Sequence, residues 1–598
     1  MLPRKKIPPG VPFLARRLVV DLIPAAIILV ASRLFDFIFH FKLPVVTVTA
    51  GVVLSVPTLY ALHIKLYQWH VRRAAAHLGA VLPPRWKGRS IGDRDLLDHV
   101  LEHYNNGYLG EGIWDKMGEL GYLYDVTIMW GTNYVTTDAN VIKTILAMEF
   151  AEFEKGEEFR DAMGTVLGSG VFNADGDMWK FHRMMTRPYF YRDRISHFEL
   201  FDRHAALLIK KMKDRFQGGH AVDFQDAIAR FTLDSATEFL CGKCVDSLES
   251  DLPYAHNDAV APNLVRKPNV AERFARAFTE AQLIIAMRSQ LGWFWHFQEL
   301  LRDKTAEPMQ VVDQFLTPIL EEAIRRNRAS RVKGMASHVK DADEDETLLD
   351  HLVKLTNNSN VLHDEMLNIL IASRDTTAAT LTFAVYLMCL YPDVFKRLRA
   401  EVLERVGPTQ VPTFDDVRSM KYLRAVINET LRLYPAVPFN VRVPNRDTTL
   451  PNPDPNGPRI FVPAQTPIGY SVFLMHRRKD YWGPDAEKFD PDRWLDERLN
   501  KYFTANPFIF VPFNAGPRIC LGQQFAYNEM SFFLIRLLQN FSAMELDLSA
   551  QPLDARPPPE WASADGQKGK EKVIPKSHLT LYVYGGLWVK MTEAEKET

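Results

Sequence analysis

Residues Phe513 to Gly522 read FNAGPRICLG, and the chemistry of this stretch points to a particular kind of fold. A thiolate that ligates iron needs its sulfur held against the metal, backbone N–H groups turned toward that sulfur, and a chain able to bend tightly beneath a flat cofactor. Gly516 and Gly522 allow that backbone path, Arg518 offers a cation to a cofactor carboxylate, and Phe513 shields one side. A cysteine in an ordinary setting is a small buried hydrophobe, and Cys241, Cys244 and Cys389 are read that way. Cys520 is read as a metal ligand.

Upstream of this loop, the apolar spacing from Asp95 to about Asn440 is mostly helical, with no repeat and no alternation of strands and helices, so the body is expected to be mainly α. Val361 to Leu390 is apolar along most of its length and closes at Tyr391-Pro392, which predicts a long helix buried through the centre. Ala372-Ser373-Arg374-Asp375-Thr376-Thr377 interrupts it with polar groups. An acid and an alcohol in a buried helix suit proton delivery; the plainer reading has them bonded to the preceding turn or facing solvent. INETLR puts Glu429 and Arg432 on one helical face, WKFHR does the same for Trp179 and Arg183, and FDPDRW supplies Arg493. Small β elements are expected late: Arg459 to Pro463, and a hairpin of LTLYVY and LWVKM turning at Gly585-Gly586. Lys340 to Glu346 and Pro557 to Lys576 are expected as exposed loops.

Taken in this order, the segments resemble the cytochrome P450 haem-thiolate monooxygenases, over roughly Ile91 to Met591. The resemblance implies a P450 fold with small β-sheets, haem b with Cys520 as the axial thiolate, and Phe513, Gly516, Arg518 and Gly522 around it. It implies propionate contacts from Trp179, Arg183 and Arg442, a structural network of Glu429, Arg432 and Arg493, and oxygen activation at Asp375 and Thr376. His182 is read as a surface or propionate-side histidine, because the family leaves the sixth iron position to water and dioxygen. Ala372-Ser373 departs from the usual Ala/Gly-Gly, which puts the oxygen groove and peroxide leakage in question.

Before this body, Leu43 to Leu62 carries no charge and is long enough as a helix to span a bilayer, with Lys42, Lys65, Arg72, Arg73 and interfacial aromatics around it. It is too late and too long for a cleaved signal. Leu18 to Ser32, interrupted by Asp21 and Pro24, is either a first hairpin arm or an interfacial helix. The division expected is a basic segment and membrane anchor over 1–66, a Pro-rich exposed linker over 67–90 and a haem domain over 91–598, facing the cytosol from the endoplasmic reticulum. The balance of 72 Lys+Arg and 73 Asp+Glu gives no nucleic-acid footprint, and 4 Cys cannot make a secreted disulfide framework.

The stretch from Asn428 to Pro451 further resembles the fungal membrane-bound P450s that hydroxylate n-alkanes and fatty acids, which implies a pocket lined by Val437, Phe439 and Val441, joined by Tyr584 and Leu587 of the expected hairpin. Too few residues follow Cys520 for a flavin domain, so NADPH–cytochrome P450 reductase is the implied partner, with cytochrome b5 as a further donor. The competing readings are a broad xenobiotic or polycyclic-aromatic monooxygenase, a haem-thiolate isomerase or dehydratase, and a non-enzymatic haem sensor.

Overall fold

The structure, a computed structural model, describes residues 7–190, 198–260, 268–332 and 347–595. The acidic stretch 340–346 and the basic residues Arg4, Lys5 and Lys6 lie outside them.

Two apolar helices come first, α1 (Gly10–Phe39) and α2 (Val45–His77), with mean hydropathies of 2.2 and 1.9 over their most apolar windows. Both are long and apolar enough to cross a membrane, so the first run is a full helix that carries Pro24 in its interior. His40, at φ 49°, ends α1 and lets the chain fold back, and Gly51 leaves room for Ile28 across the pair. The hairpin rests on the body: the Gly10 N–H donates to the Glu299 carbonyl at 3.2 Å, and Phe13 stacks on His296 with centroids 4.0 Å apart.

The expected boundary at 66 falls inside helix α2, and the one at 90 follows a paired strand. Helix α2 runs on to His77, and the Pro-rich stretch, though largely exposed, is tied to the body by backbone pairing instead of standing free as a spacer. Arg85 and Trp86 pair in parallel with Asp125 and Val126, Val81 bridges Ile460, and Arg85 holds Asp93 at 2.7 Å. Pro83 and Pro84 keep the backbone extended, which suits an edge strand as well as a linker.

The body is mainly helical, around the helix Ser359–Leu390. Asn358 caps its start, accepting from the Asn360 N–H at 3.0 Å, and Pro392 follows its end. Its apolar half packs against Phe224–Cys241, Lys421–Leu433 and Gln523–Asn540, with Leu381, Phe383, Tyr386 and Leu387 fully buried. A six-stranded sheet flanks these helices in the order Arg85–Trp86, Leu123–Ile128, Gly131–Thr136, Ile468–Ser471, Phe439–Pro444, Phe153–Glu154. Strands far apart in sequence therefore meet side by side.

The expected hairpin at Gly585-Gly586 is not formed. Leu581–Val583 pairs with Pro575–Ser577, whereas Trp588–Glu593 joins Phe541–Leu546 and Val222–Asp223 in another sheet. Each strand pairs with a different partner, and the two glycines, at φ 79° and 85°, carry the chain between the two sheets. Pro557 to Lys576 is likewise more than a surface loop. Trp561 is buried, and the Glu571 carboxylate accepts hydroxyls from Tyr108 at 3.0 Å, Tyr386 at 2.7 Å and Tyr434 at 2.7 Å.

Candidate active site

The Cys520 loop is closed by its own backbone: the Cys520 N–H donates to the Phe513 carbonyl and the Ile519 N–H to the Gly516 carbonyl, both at 3.0 Å. Gly516 takes φ 67°, and a Cβ there would collide with the Leu146 carbonyl. Gly522 differs from the expectation. Its φ of −85° suits any residue, and its N–H is turned toward the Cys520 sulfur. The exposed surface of Cys520 faces a large cavity. Burial pushes its thiol up, opposed by the Gly522 N–H and by Arg183. Phe513 borders the same cavity and packs on Tyr527 with centroids 5.2 Å apart.

That cavity has a volume of about 2050 Å³ and is edged with cations. Arg183 donates to the Ile519 carbonyl at 3.0 Å beside Trp179. Arg442 donates to the Val441 carbonyl at 2.7 Å and to Asn440 Oδ1 at 3.3 Å, and Lys155 Nζ reaches the same Asn440 oxygen at 2.7 Å. Arg518 holds Asp175 at 2.7 Å, but its buried Nε has no partner. Burial, then the charges of Arg442 and Arg518, push the Lys155 ammonium well below its usual range; burial and then Arg442 bring Arg518 down to about 10. Asp175 also serves Arg160, so this edge carries more positive than negative charge. A flat cofactor with two carboxylates and an iron for the sulfur fits these donors, as haem does: Cys520 would hold the iron, and Trp179, Arg183, Arg442, Arg518 and Lys155 the propionates. Lys155 escaped the sequence reading because only the pairing of Glu154 with Val443 brings it to Asn440.

Ala372, Ser373 and Thr376 form part of the wall of the same cavity. Thr376 Oγ1 donates to the Ala372 carbonyl at 2.6 Å and Ser373 Oγ to the Ile369 carbonyl at 2.8 Å, so both hydroxyls are held by the helix itself. Asp375 points elsewhere: it accepts from Gln282 Nε2 at 2.8 Å and pairs with Arg374 at 3.0 Å, outside the cavity wall. Consecutive helical residues are turned by about 100°, so neighbours in sequence do not face one space. His182 is also not at the surface; it is fully buried, 2.7 Å from Glu365.

Comparisons with known proteins agree with this geometry. A family profile described as Cytochrome P450 matches residues 102–560. Cytochrome P450 52E1 of Candida apicola is 39% identical over 457 residues, which cover 75% of this chain and 82% of that protein. Cytochrome P450 52-M1 of Starmerella bombicola is 37% identical over 69% of this chain and 75% of its own length. Cytochrome P450 monooxygenase g430 of Fusarium sp is 35% identical over 83% of this chain and 86% of its own. The chain belongs to the cytochrome P450 family. It is therefore a haem-thiolate monooxygenase that works on a lipophilic substrate with dioxygen and draws electrons from a redox partner.

In this P450 the scaffold is buried charge. Glu429 and Arg432 make a bidentate pair at 2.8 Å, fully buried, and Arg493 stands 3.5 Å from the same carboxylate while donating to the Trp482 carbonyl at 2.9 Å. His476, which the sequence reading passed over, links this network to the Cys520 loop by accepting the Val511 N–H at 3.1 Å. Burial and Arg432 push its imidazole down to about 3, so it stays neutral and able to accept.

Of the expected substrate contacts, Val437, Phe439 and Val441 border the P450 cavity, and Phe439 stacks on Trp114 at 5.6 Å. Tyr584 and Leu587 do not. Leu587 is fully buried in the main core and Tyr584 donates to Asp554 at 3.2 Å. His578, Leu579 and Thr580, the turn between the paired strands, line the cavity instead. Helices α1 and α2 also contribute to the wall, with Phe13, Pro24, Pro57, Tyr60 and Tyr67.

Proposed function

We propose that this P450 hydroxylates n-alkanes and fatty acids at or near the chain terminus, at the cytosolic face of the endoplasmic reticulum. Electrons come from NADPH through cytochrome P450 reductase, with cytochrome b5 as a further donor. One observation carries the reading: the cavity that opens on Cys520 and Thr376 continues between the body and helices α1 and α2, with apolar side chains along the way. A long chain dissolved in lipid then has a continuous apolar route to the haem side. Arg16 and Arg17 near the start of α1 and Arg72 and Arg73 near the end of α2 put positive charge on one side of a membrane hairpin, which supports a cytosolic body. The anchor in this reading is the α1–α2 hairpin, and the haem domain starts at Val81.

Haem, when bound, supplies the dioxygen chemistry; the chain's own residues orient the substrate and manage protons. Val437, Phe439 and Val441 offer an aliphatic tail contacts on one wall. They have no polar group with which to prefer an internal carbon, so selectivity for the end has to come from position. A methyl C–H is intrinsically harder to oxidise than a methylene, and an error of about an ångström in placement costs on the order of 100-fold in rate.

Thr376 holds a proton on Oγ1 at the cavity wall. Thr376→Ala should therefore retain haem and substrate binding while product formed per NADPH falls and hydrogen peroxide rises. If coupling is unaltered, Thr376 is not the proton carrier and Ser373 takes its place as the hydroxyl to test.

Product analysis with a medium-chain fatty acid tests the substrate assignment. The unaltered enzyme should give mainly terminal and next-to-terminal alcohols, and Phe439→Ala, which removes the ring stacked on Trp114, should move hydroxylation inward. Mid-chain alcohols from the unaltered enzyme would overturn the assignment. So would oxidation of polycyclic aromatics with no turnover of any linear chain.

A further inference from the structure

A cluster of side chains of metal-ligating type lies away from the Cys520 loop, with His103 bordering the same cavity. Helix α3 (Arg94–Asn106) carries His99 and His103 one turn apart on one face, and the chain that follows bends back through Gly107 to Gly112 and brings Asp115 against them. His99 Nε2 stands 2.7 Å from Asp115 Oδ2, the two imidazole centroids are 4.0 Å apart, and one donor atom from each of the three residues lies within 4.8 Å of the others.

We infer that His99, His103 and Asp115 bind one divalent transition-metal ion of the zinc class, tying α3 to the loop that follows it. His103 Nδ1 is 2.8 Å from the His99 carbonyl, which can only accept; the proton is therefore on Nδ1 and the Nε2 lone pair is left for a metal. His99 is fixed from another side by Trp86, edge-on with centroids 5.4 Å apart. Gly112, at φ 78°, lets the loop pass close, since a Cβ there would be 3.3 Å from His103 Cβ. The nearest cation in sequence does not compete for Asp115, because Lys116 pairs with Glu119 at 2.7 Å. The side chains of His99 and Asp115 are 34% and 28% exposed, so an ion can reach them from solution.

The fit can be judged from bond lengths. Zn–N and Zn–O bonds of roughly 2.0–2.2 Å at a tetrahedral centre separate ligands by about 3.4 Å, so the His99–Asp115 gap has to open by less than about 1 Å. That is within side-chain rotation for partly exposed groups. The fourth position goes to water. Two imidazoles and one carboxylate favour Zn²⁺ over Mg²⁺, which prefers oxygen ligands alone. Binding would brace a wall of the substrate cavity, since Tyr108, Ile113 and Trp114 of the tethered loop all border it.

The test uses full-length, haem-loaded protein without a polyhistidine tag, in detergent micelles, dialysed against Zn²⁺. One Zn²⁺ per chain should be retained in excess Mg²⁺, and zinc-edge X-ray absorption should show two imidazoles in its shell. His99→Ala, His103→Ala and Asp115→Asn should each weaken binding by about ten-fold or more, and Glu102→Gln on the same helix should not. The carbon-monoxide difference spectrum of each variant reports whether it has folded, and His103→Gln serves if the alanine variant has not. Retention of the same zinc by a His99→Ala/His103→Ala double variant, or an all-oxygen shell in the unaltered protein, overturns the assignment. Neither readout depends on turnover, so the result stands apart from the substrate proposal.

Discussion

Cys520→Ala is expected to reduce monooxygenation to background and to remove the red-shifted Soret band of the reduced, carbon-monoxide-bound protein. Access decides this. Cys520 is the cysteine that borders the cavity, whereas burial pushes the thiols of Cys241, Cys244 and Cys389 up to about 12 and none of them borders it. No other thiolate can take the place of the lost one. The cationic edge of Lys155, Arg183, Arg442 and Arg518 remains, so some haem should still bind, without the thiolate signature. Cys389→Ala is the matched control and should leave the spectrum unchanged. A thiolate spectrum that survives Cys520→Ala would remove Cys520 from the site.

Glu429→Gln should have the next largest effect, on folding rather than on chemistry. The Glu429 carboxylate accepts from Arg432 twice at 2.8 Å, from the Asp490 N–H at 3.0 Å and from Trp494 Nε1 at 3.0 Å. Neutralising it leaves Arg432, lowered by burial and supported chiefly by that carboxylate, as a buried charge with carbonyl partners only. Breaking a buried pair in this way costs about 3–5 kcal/mol, against a typical total stability of about 5–15 kcal/mol. The fraction of purified chain that carries haem, read from the carbon-monoxide difference spectrum, should collapse, and the melting temperature should fall steeply. Glu429→Asp keeps the charge and should be milder. A Glu429→Gln protein with normal haem content and melting temperature would show that the network is dispensable.

What could be read from the sequence was what is local. The Cys520 loop is contiguous, and Glu429 with Arg432 is an i,i+3 pair, so spacing alone suggested how each would lie. Asp375 shows the limit of that reasoning: adjacency to Thr376 in sequence became divergence on the helix, and its partner Gln282 is remote in the chain. Sheet pairing was hidden for the same reason. Nothing in the composition of Leu82 to Ser90 distinguishes an extended linker from an edge strand, because prolines favour both, and Pro83 and Pro84 lead into the paired residues Arg85 and Trp86. At Gly585-Gly586 a local turn signal is present, but Leu581–Val583 pairs with the strand just before it, Pro575–Ser577, and Trp588–Glu593 pairs with strands remote in sequence. Lys155 reaches the site only through such a long-range pairing, and the 578–580 turn lines it as the loop of the local Pro575–Ser577 and Leu581–Val583 hairpin.

The strand order matters during synthesis. Gly131–Thr136 lies beside Ile468–Ser471, and Phe153–Glu154 waits for Phe439–Pro444. At about 5–20 residues per second, the ribosome needs on the order of tens of seconds to deliver those partners after the first strands emerge. Through that interval the early strands have open edges, while α1 and α2 are already available for insertion. If α1 and α2 insert as proposed, the nascent chain is held at a membrane surface with its main sheet half built until translation delivers the missing strands.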